Sequence, residues 1–184
     1  MIPDQKIIKI LKTGGVGVLP TDTLYGLVGR ALDKKAVERI YKLKGRNKNK
    51  PFIILISSIS DLKKFEIPYS IILQNIRTLK KMWPSKISVI LPCPSKKFKF
   101  LHRGKKSLAF RLPNKKSLIS ILKKTGPLVA PSANPESKKP AETIEEAKNY
   151  FGNKVDFYLS TGRPKTRPST LVSLVGVKLK ILRC

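Results

Sequence analysis

Apolar residues recur along the chain in two patterns, one typical of amphipathic helices and one typical of buried strands. Near the N-terminus, Ile7 and Leu11 have helical spacing, and Gly14 follows where a helix would end. The short run Val16 to Leu19 comes next and predicts a buried strand. The chain therefore begins with a helix that leads directly into a sheet.

Capping residues delimit further helices. Asp33 is typical of an N-cap and Gly45 of a C-terminal stop, so a second helix is predicted between them. Asn114 is predicted to cap a later helix. Thr143 is predicted to cap another, because Glu146 follows it at capping-box spacing.

Short apolar runs predict the remaining strands, and helical patterns fill several of the intervals, one of them ending at Trp83-Pro84. The predicted strands are 52–56, 87–91, 108–112, 128–130, 155–159, 170–174 and 179–182. Some strand pairs lack a crossover helix, so we expect an α/β fold with a twisted, mixed, open β-sheet flanked by helices, in one domain over residues 1–184. Segments 94–106 and 161–168 are expected to be mobile links.

Charge changes this picture. The chain carries 39 Lys and Arg against 11 Asp and Glu, a net charge of +28, and such a field attracts phosphate-rich partners. A lysine-rich composition from an AT-rich genome explains the diffuse charge equally well. Charge alone therefore leaves open whether the partner is a nucleotide or RNA.

Several classes of protein and site are excluded by what the sequence lacks. The longest apolar run, 52–56, is too short to span a bilayer, and the N-terminus is amphipathic rather than signal-like, so we expect a cytoplasmic protein without a membrane partner. The single histidine, His102, argues against a multi-histidine zinc site and a Ser-His-Asp centre. Acidic residues are mostly interspersed with lysine, so any magnesium would arrive bound to phosphates.

Two segments have polar residues that core packing does not require. In "LPTDTLYGL", residues 19–27, threonines and an aspartate lie between apolar flanks, which indicates a bound polar ligand. In "KGRNKNK", Lys44, Arg46 and Lys50 surround Gly45, a composition suited to phosphate oxygens, although basic loops of this kind are often merely solvated.

Two further segments place polar groups at strands. Ser132 and Asn134 follow an apolar strand in "APSANPE", where open α/β sheets bind ligands, or where an ordinary turn would precede Pro135. Arg111 lies in the strand "SLAFRL" and would need an anionic partner if it were buried. It shares a strand face with Ser107 rather than with the large apolar residues, so a solvent-facing arginine is the alternative.

Five motifs together carry a family resemblance. In order along the chain they are "PTDTLYGL", "LKGRNKNKPF", "SLAFRLP", "PSAN" and "PSTLVSL". From Val18 to Arg183 the chain resembles the YrdC-type threonylcarbamoyl-AMP synthases. The resemblance implies a YrdC-like fold and a nucleotidyltransferase that joins L-threonine, bicarbonate and ATP and releases pyrophosphate. A separate tRNA-modification complex would then transfer the threonylcarbamoyl group to adenosine in tRNA.

The resemblance also implies the site residues. Those implied for threonine are Thr23, Arg111, Ser132 and Ser169, and those for ATP are Lys44, Arg46, Lys50, Ser107, Asn134, Thr143 and Arg183. Lys44 and Arg46 would stabilise charge, no protein nucleophile is implied, and Mg²⁺ would enter with ATP.

The chain departs from the family pattern in two places. "WPSKIS" has Ser85 and Lys86 where relatives have a tight turn. Where relatives commonly have Asp-Gly-Gly before the Ser-Thr motif, "STGRP" has Thr161 and Gly162 only. The additional C-terminal domain of longer relatives is expected to be missing, so that closure over the adenylate would come from this domain or a partner. The alternative function is a basic RNA-binding or ribosome-assembly protein on the same fold, although no aromatic-rich RNA-reading signature is present.

Overall fold

The computed structural model describes residues 5–160, 167–175 and 179–183. Its helices are α1 Gln5–Lys12, α2 Lys34–Lys44, α3 Tyr69–Met82, α4 Lys99–His102, α5 Lys116–Thr125 and α6 Ile144–Phe151, with 3₁₀ turns at Ile59–Phe65, Lys96–Phe98 and Gly152–Lys154. Its strands are β1 Gly17–Pro20, β2 Tyr25–Arg30, β3 Ile53–Leu55, β4 Ile87–Pro92, β5 Ser107–Arg111, β6 Leu128–Val129, β7 Phe157–Tyr158, β8 Thr170–Ser173 and β9 Lys180–Arg183.

Within the described residues, the strands form one sheet of nine in the order β7-β1-β2-β6-β3-β5-β4-β8-β9. Three neighbouring pairs are parallel, namely β1 with β7, β3 with β5 and β4 with β8, and the other pairs are antiparallel. The mixed, open sheet predicted from the sequence is therefore confirmed. The extent of the domain over 1–184 stays a prediction, because the described residues begin at Gln5 and end at Arg183.

The cap predictions for α2 are confirmed. The Asp33 carboxylate accepts a hydrogen bond from the Ala36 N–H at 3.1 Å, and Gly45 ends the helix in the left-handed region at φ 58°.

The caps of the two later helices differ from each other. Thr143 Oγ1 accepts from the Glu146 N–H at 3.1 Å, as predicted, but the Glu146 carboxylate accepts from the Glu142 N–H rather than from that of Thr143. The prediction that Asn114 caps a helix is wrong. The N-cap residue of α5 is Lys115, and its side chain makes no capping hydrogen bond.

Strand β2 was missing from the sequence-based expectations. It pairs antiparallel with β1, and both Leu27 and Val28 are fully buried, on opposite faces of the sheet. Gly26 and Gly29 interrupt its apolar pattern, and glycine weakens the strand signal. At Gly26 a Cβ atom would lie 3.0 Å from the Thr21 methyl group, so the small residue permits the close hairpin.

The expectation of a mobile link at 94–106 is wrong. Phe98 and Leu101 are buried in the core from a 3₁₀ turn and α4. His102 is buried too; its Nδ1 accepts the Gly104 N–H at 3.1 Å, while Nε2 lies 3.2 Å from the Ser95 carbonyl oxygen. Because lysines alternate with these buried residues, the segment looked polar. Of the second expected link, residues 161–166 lie outside the described part of the chain.

The main core lies against β5. From the burial of its side chains we predict how much stability a truncation there would remove. Phe110 is fully buried and meets Phe65 edge-on with ring centroids 5.1 Å apart. Phe110→Ala should lower the free energy of unfolding by about 3–5 kcal/mol through lost burial and a cavity. Leu73→Ala, at a half-exposed position of α3, should change it by less than about 0.5 kcal/mol. Denaturant unfolding measures both, and equal losses would contradict this location of the core.

Candidate functional site

A cavity of about 740 Å³ opens beside the β1–β2 turn, the loop after α2, and strands β5 and β8. Eight of the eleven predicted site residues line it: Thr23, Arg46, Lys50, Ser107, Arg111, Ser132, Ser169 and Arg183. The other three, Lys44, Asn134 and Thr143, are absent from its lining. The motifs that are scattered along the sequence thus meet at one place.

The Thr21 hydroxyl shapes the turn at one end of the cavity. It donates to the Leu24 carbonyl oxygen at 2.7 Å and accepts from the Thr23 N–H at 3.1 Å. The hydroxyl oxygens of Thr21 and Thr23 are also 3.1 Å apart, and both side chains are buried. Because the single hydroxyl proton of Thr21 serves Leu24, the shared bond is donated by Thr23. The threonine-rich turn is therefore held by its own hydroxyls.

Arg111 is buried in the cavity wall at the end of β5. Its Nη2 lies 3.1 Å from the Asp22 carboxylate, and the two side chains are only 4% and 3% exposed. Ser107, on the same face of the strand, also lines the cavity. That face therefore looks into a cavity, and the alternative of a solvent-facing arginine is wrong. Burial lowers the pKa of Arg111, and the charge of Asp22 opposes this shift.

Asp22 is a site residue that the sequence analysis did not single out. It lies within the motif "PTDT", and an arginine in an apolar strand requires a counterion. The aspartate of this motif and the need of Arg111 for a counterion would together have predicted the Asp22–Arg111 pair. What the sequence lacked was the fold that brings the β1–β2 turn to the end of β5.

Lys44 and Asn134 lie behind the cavity wall and support it through hydrogen bonds. The Lys44 ammonium donates to the carbonyl oxygens of Ser132, at 2.7 Å, and of Asn134, and it lies 3.3 Å from the Asn134 side-chain oxygen. Ser132 Oγ donates to that same oxygen at 2.6 Å. Burial lowers the pKa of Lys44 to about 8. This network fixes the turn that presents Ser132, and direct ATP contacts of Lys44 and Asn134 stay predictions.

The basic loop after α2 is anchored at the cavity mouth. Arg46 Nε donates to the Lys50 carbonyl oxygen at 3.2 Å, and its guanidinium lies 5.4 Å from the centre of the Phe52 ring. Glu136 accepts from Lys50 Nζ and from the Asn47 N–H, each at 2.8 Å. These bonds lower the pKa of Glu136, that from Lys50 most. Glu136, which the sequence analysis also missed, therefore ties the loop to the turn after Asn134.

The opposite wall comes from β8 and β9. Arg183 Nη2 donates to the Ser169 carbonyl oxygen at 2.8 Å, and the Ser169 hydroxyl lies 2.9 Å from that of Ser88. With Arg46, Lys50 and Arg111 on the other walls, the cavity presents cations from several directions. Such a site suits a ligand with more than one anionic group.

Among the described residues, no three or more His, Cys, Asp and Glu side chains come together in a group that could hold a metal ion. In the same part of the chain, no helix has both the length and the apolar character that crossing a membrane requires.

Comparison with known proteins decides the family. The model of the Sua5/YciO/YrdC family, described as "Telomere recombination", matches residues 9–184. The chain belongs to this family. The predicted resemblance to YrdC-type proteins is thereby confirmed.

Relatives in sequence have consistent names. A putative threonylcarbamoyl-AMP synthase of Mycobacterium tuberculosis is 30% identical over 94% of this chain and 79% of its own length. The threonylcarbamoyl-AMP synthase of Bacillus subtilis is 35% identical over 74% of this chain, which corresponds to 39% of that protein.

Solved structures agree on the fold. Sua5 of Pyrococcus abyssi, in a complex with L-threonine, is similar over 97% of this chain with a TM-score of 0.85 and 28% identity. The match covers 53% of that longer protein, so this chain spans about half of its length. YciO of Escherichia coli has a TM-score of 0.81 at 25% identity, and the match covers 98% of this chain and 90% of YciO.

The network around Lys44 generates a stability prediction. Lys44→Met should lower the free energy of unfolding by about 2–3 kcal/mol, because buried carbonyl oxygens lose a charged donor. Lys42→Met, the same change at an exposed position of α2, should have little effect. Denaturant unfolding of both variants tests this, and a Lys44→Met protein as stable as the Lys42→Met control would show that the network contributes little.

The same lysine predicts a pH dependence. Its pKa falls from 10.5 to about 8 on folding, so between these values the unfolded chain binds more protons than the folded protein. The free energy of unfolding gains a contribution from Lys44 that increases with pH through this window. The difference in stability between wild type and Lys44→Met should therefore rise from pH 8 to pH 10.5. A flat or falling difference would contradict the lowered pKa.

Proposed function

We propose that this chain synthesises threonylcarbamoyl-AMP from L-threonine, bicarbonate and ATP with release of pyrophosphate, the first step of tRNA threonylcarbamoyladenosine modification. In this proposal it is a nucleotidyltransferase of the cytoplasm. The names of its relatives and the threonine complex of Pyrococcus Sua5 support the proposal. The observation that carries it is one cavity of about 740 Å³ that joins a buried guanidinium, Arg111, to the cationic loop at Arg46 and Lys50.

In this proposal, different walls of the cavity bind different substrates. Arg111 receives the carboxylate of threonine, and the hydroxyls of Thr23, Ser132 and Ser169 line the space around it. Arg46 and Lys50 receive phosphate oxygens at the mouth. Arg46 suits that task because, in the part of the chain that the structure describes, its Nε donates to the Lys50 carbonyl oxygen and its terminal nitrogens can meet an anion.

The reaction follows from this placement. The threonine nitrogen and bicarbonate form an N-carboxylate with loss of water. An oxygen of that carboxylate attacks the α-phosphorus of ATP, the bond to the β-phosphate breaks, and pyrophosphate leaves. Repulsion between the anionic reactants is the main barrier, and fixed cations lower it by orientation and charge stabilisation. No protein nucleophile takes part.

Magnesium enters this proposal with ATP. The charged side chains that line the cavity are cationic, and the acidic residues behind them, Asp22 and Glu136, already face arginine or lysine. These residues do not offer a carboxylate ligand set, so the phosphates would carry Mg²⁺ and reduce their own repulsion. The adenylate would then pass to a separate tRNA-modification complex.

RNA binding is the less favoured alternative. The relatives carry the names of synthases, whereas RNA binding rests only on diffuse charge. Nonspecific RNA contacts through exposed lysines would weaken steeply with salt.

The first functional prediction concerns substrate dependence. Pyrophosphate release should require L-threonine, bicarbonate, ATP and Mg²⁺ together and should proceed without tRNA. A coupled pyrophosphate assay with one component left out at a time measures this. Equal ATP cleavage without threonine and bicarbonate would show that the chain is not a synthase.

The second functional prediction separates the two ends of the cavity. Arg46→Ala should weaken ATP and Arg111→Ala should weaken threonine, each by about tenfold or more, because each removes a charge-assisted contact. Lys96→Ala, at an exposed lysine outside the cavity lining, should alter neither affinity. Calorimetric titration gives both affinities, and the reverse pattern in folded variants would overturn the assignment.

A further inference from the structure

A second cavity also borders the β1–β2 turn. It has a volume of about 530 Å³, and Asp22 and Lys115 are among its lining residues. Both cavities include Thr21, but Arg111 lines only the larger one and Asp22 only the smaller. The two partners of the Arg111–Asp22 ion pair therefore line different cavities, and the cation lines the proposed substrate site.

The ion pair is close but unsaturated. Arg111 Nη2 is 3.1 Å from Asp22 Oδ1. Among the described residues, however, the carboxylate oxygens of Asp22 and the Nε of Arg111 make no hydrogen bond of good geometry. In the described residues, Asp22 is the only carboxylate paired with Arg111. The position of the guanidinium thus depends on the charge of one side chain, and donors of Arg111 are left for a ligand.

Lys115 holds the turn that carries Asp22. Its ammonium donates to the carbonyl oxygens of Pro20, at 3.1 Å, and of Thr21, at 3.3 Å, the two residues before Asp22. Burial lowers the pKa of Lys115, and the charge of Asp22 opposes that shift. The start of α5 is therefore linked, through the turn and Asp22, to the guanidinium in the larger cavity.

We propose that Asp22 is a positioning residue for carboxylate recognition: it holds Arg111 in the wall of the larger cavity, and Lys115 fixes the turn from which it reaches. The proposal rests on the proposed function, in which Arg111 receives the carboxylate of threonine. Without Asp22, Arg111 is a buried charge with no partner and turns toward solvent or another acceptor. Affinity for a carboxylate then falls although its direct ligand is unchanged.

Asp22→Asn tests this inference, since it keeps the volume of the side chain and removes its charge. The probes are L-threonine and L-threoninol, in which a hydroxymethyl group replaces the carboxylate. Calorimetry on Asp22→Asn should show threonine binding weakened about tenfold or more, with threoninol and ATP binding unchanged within about twofold. In an Arg111→Ala background, Asp22→Asn should weaken threonine no further, because its effect passes through Arg111.

A purely structural role for Asp22 has a different signature. It would weaken threonine, threoninol and ATP together, or would weaken threonine equally in the Arg111→Ala background, and either result overturns the proposal. Unchanged threonine affinity in Asp22→Asn overturns it as well while leaving the synthase function intact. If wild type itself neither binds threonine nor releases pyrophosphate, the proposed function and this inference fail together.

A second variant covers the case in which Asp22→Asn does not fold. Lys115→Met leaves both charges of the pair in place and loosens the turn, so it should weaken threonine several-fold, threoninol less than threonine because it does not use the guanidinium, and ATP not at all. Lys116→Met, the same substitution at the exposed neighbouring position, is the matched control and should change none of the three. Identical threonine affinities in the two lysine variants would exclude the link through Lys115.

Discussion

The buried guanidinium of Arg111 is the constraint around which the cavity is arranged. A charge that is 4% exposed must have a counterion, and Asp22 supplies it from the hairpin turn between β1 and β2. That requirement holds the turn against the end of β5. The same turn contributes Thr23 to the cavity, so the counterion of Arg111 and the threonine-rich wall arise from one local structure.

The other cations of the motifs also have partners. Behind the cavity, Lys44 is held by carbonyl oxygens of the Ser132 turn. At the mouth, Glu136 ties Lys50 and the loop backbone to that turn. Lysine and arginine are therefore not simply displayed to solvent. Their neighbours fix the loop before any phosphate arrives, which reduces the entropy that a ligand must overcome.

This arrangement explains how so basic a protein can be selective. Most of the +28 charge lies on solvated lysines, which are screened by salt and recognise phosphate without regard to its context. The cavity charges differ because they have fixed positions and specific partners. Selectivity in the proposed reaction thus depends on a few placed cations rather than on net charge.

The sequence by itself determined the fold class, the caps of α2 and the set of motifs, because periodicity, capping and motif order are local properties. It missed β2, whose glycines hide the strand pattern, and it mistook 94–106 for a link because lysines surround Phe98 and Leu101.

Only the tertiary structure decided which polar residues face the cavity and which stand behind it. Lys44 and Asn134 belong to the motifs but point into the scaffold, whereas Arg111 faces a cavity instead of solvent. Asp22 and Glu136 gain their roles from partners on other segments of the chain. Such pairings depend on how distant segments pack in three dimensions, and no local pattern of one sequence records them.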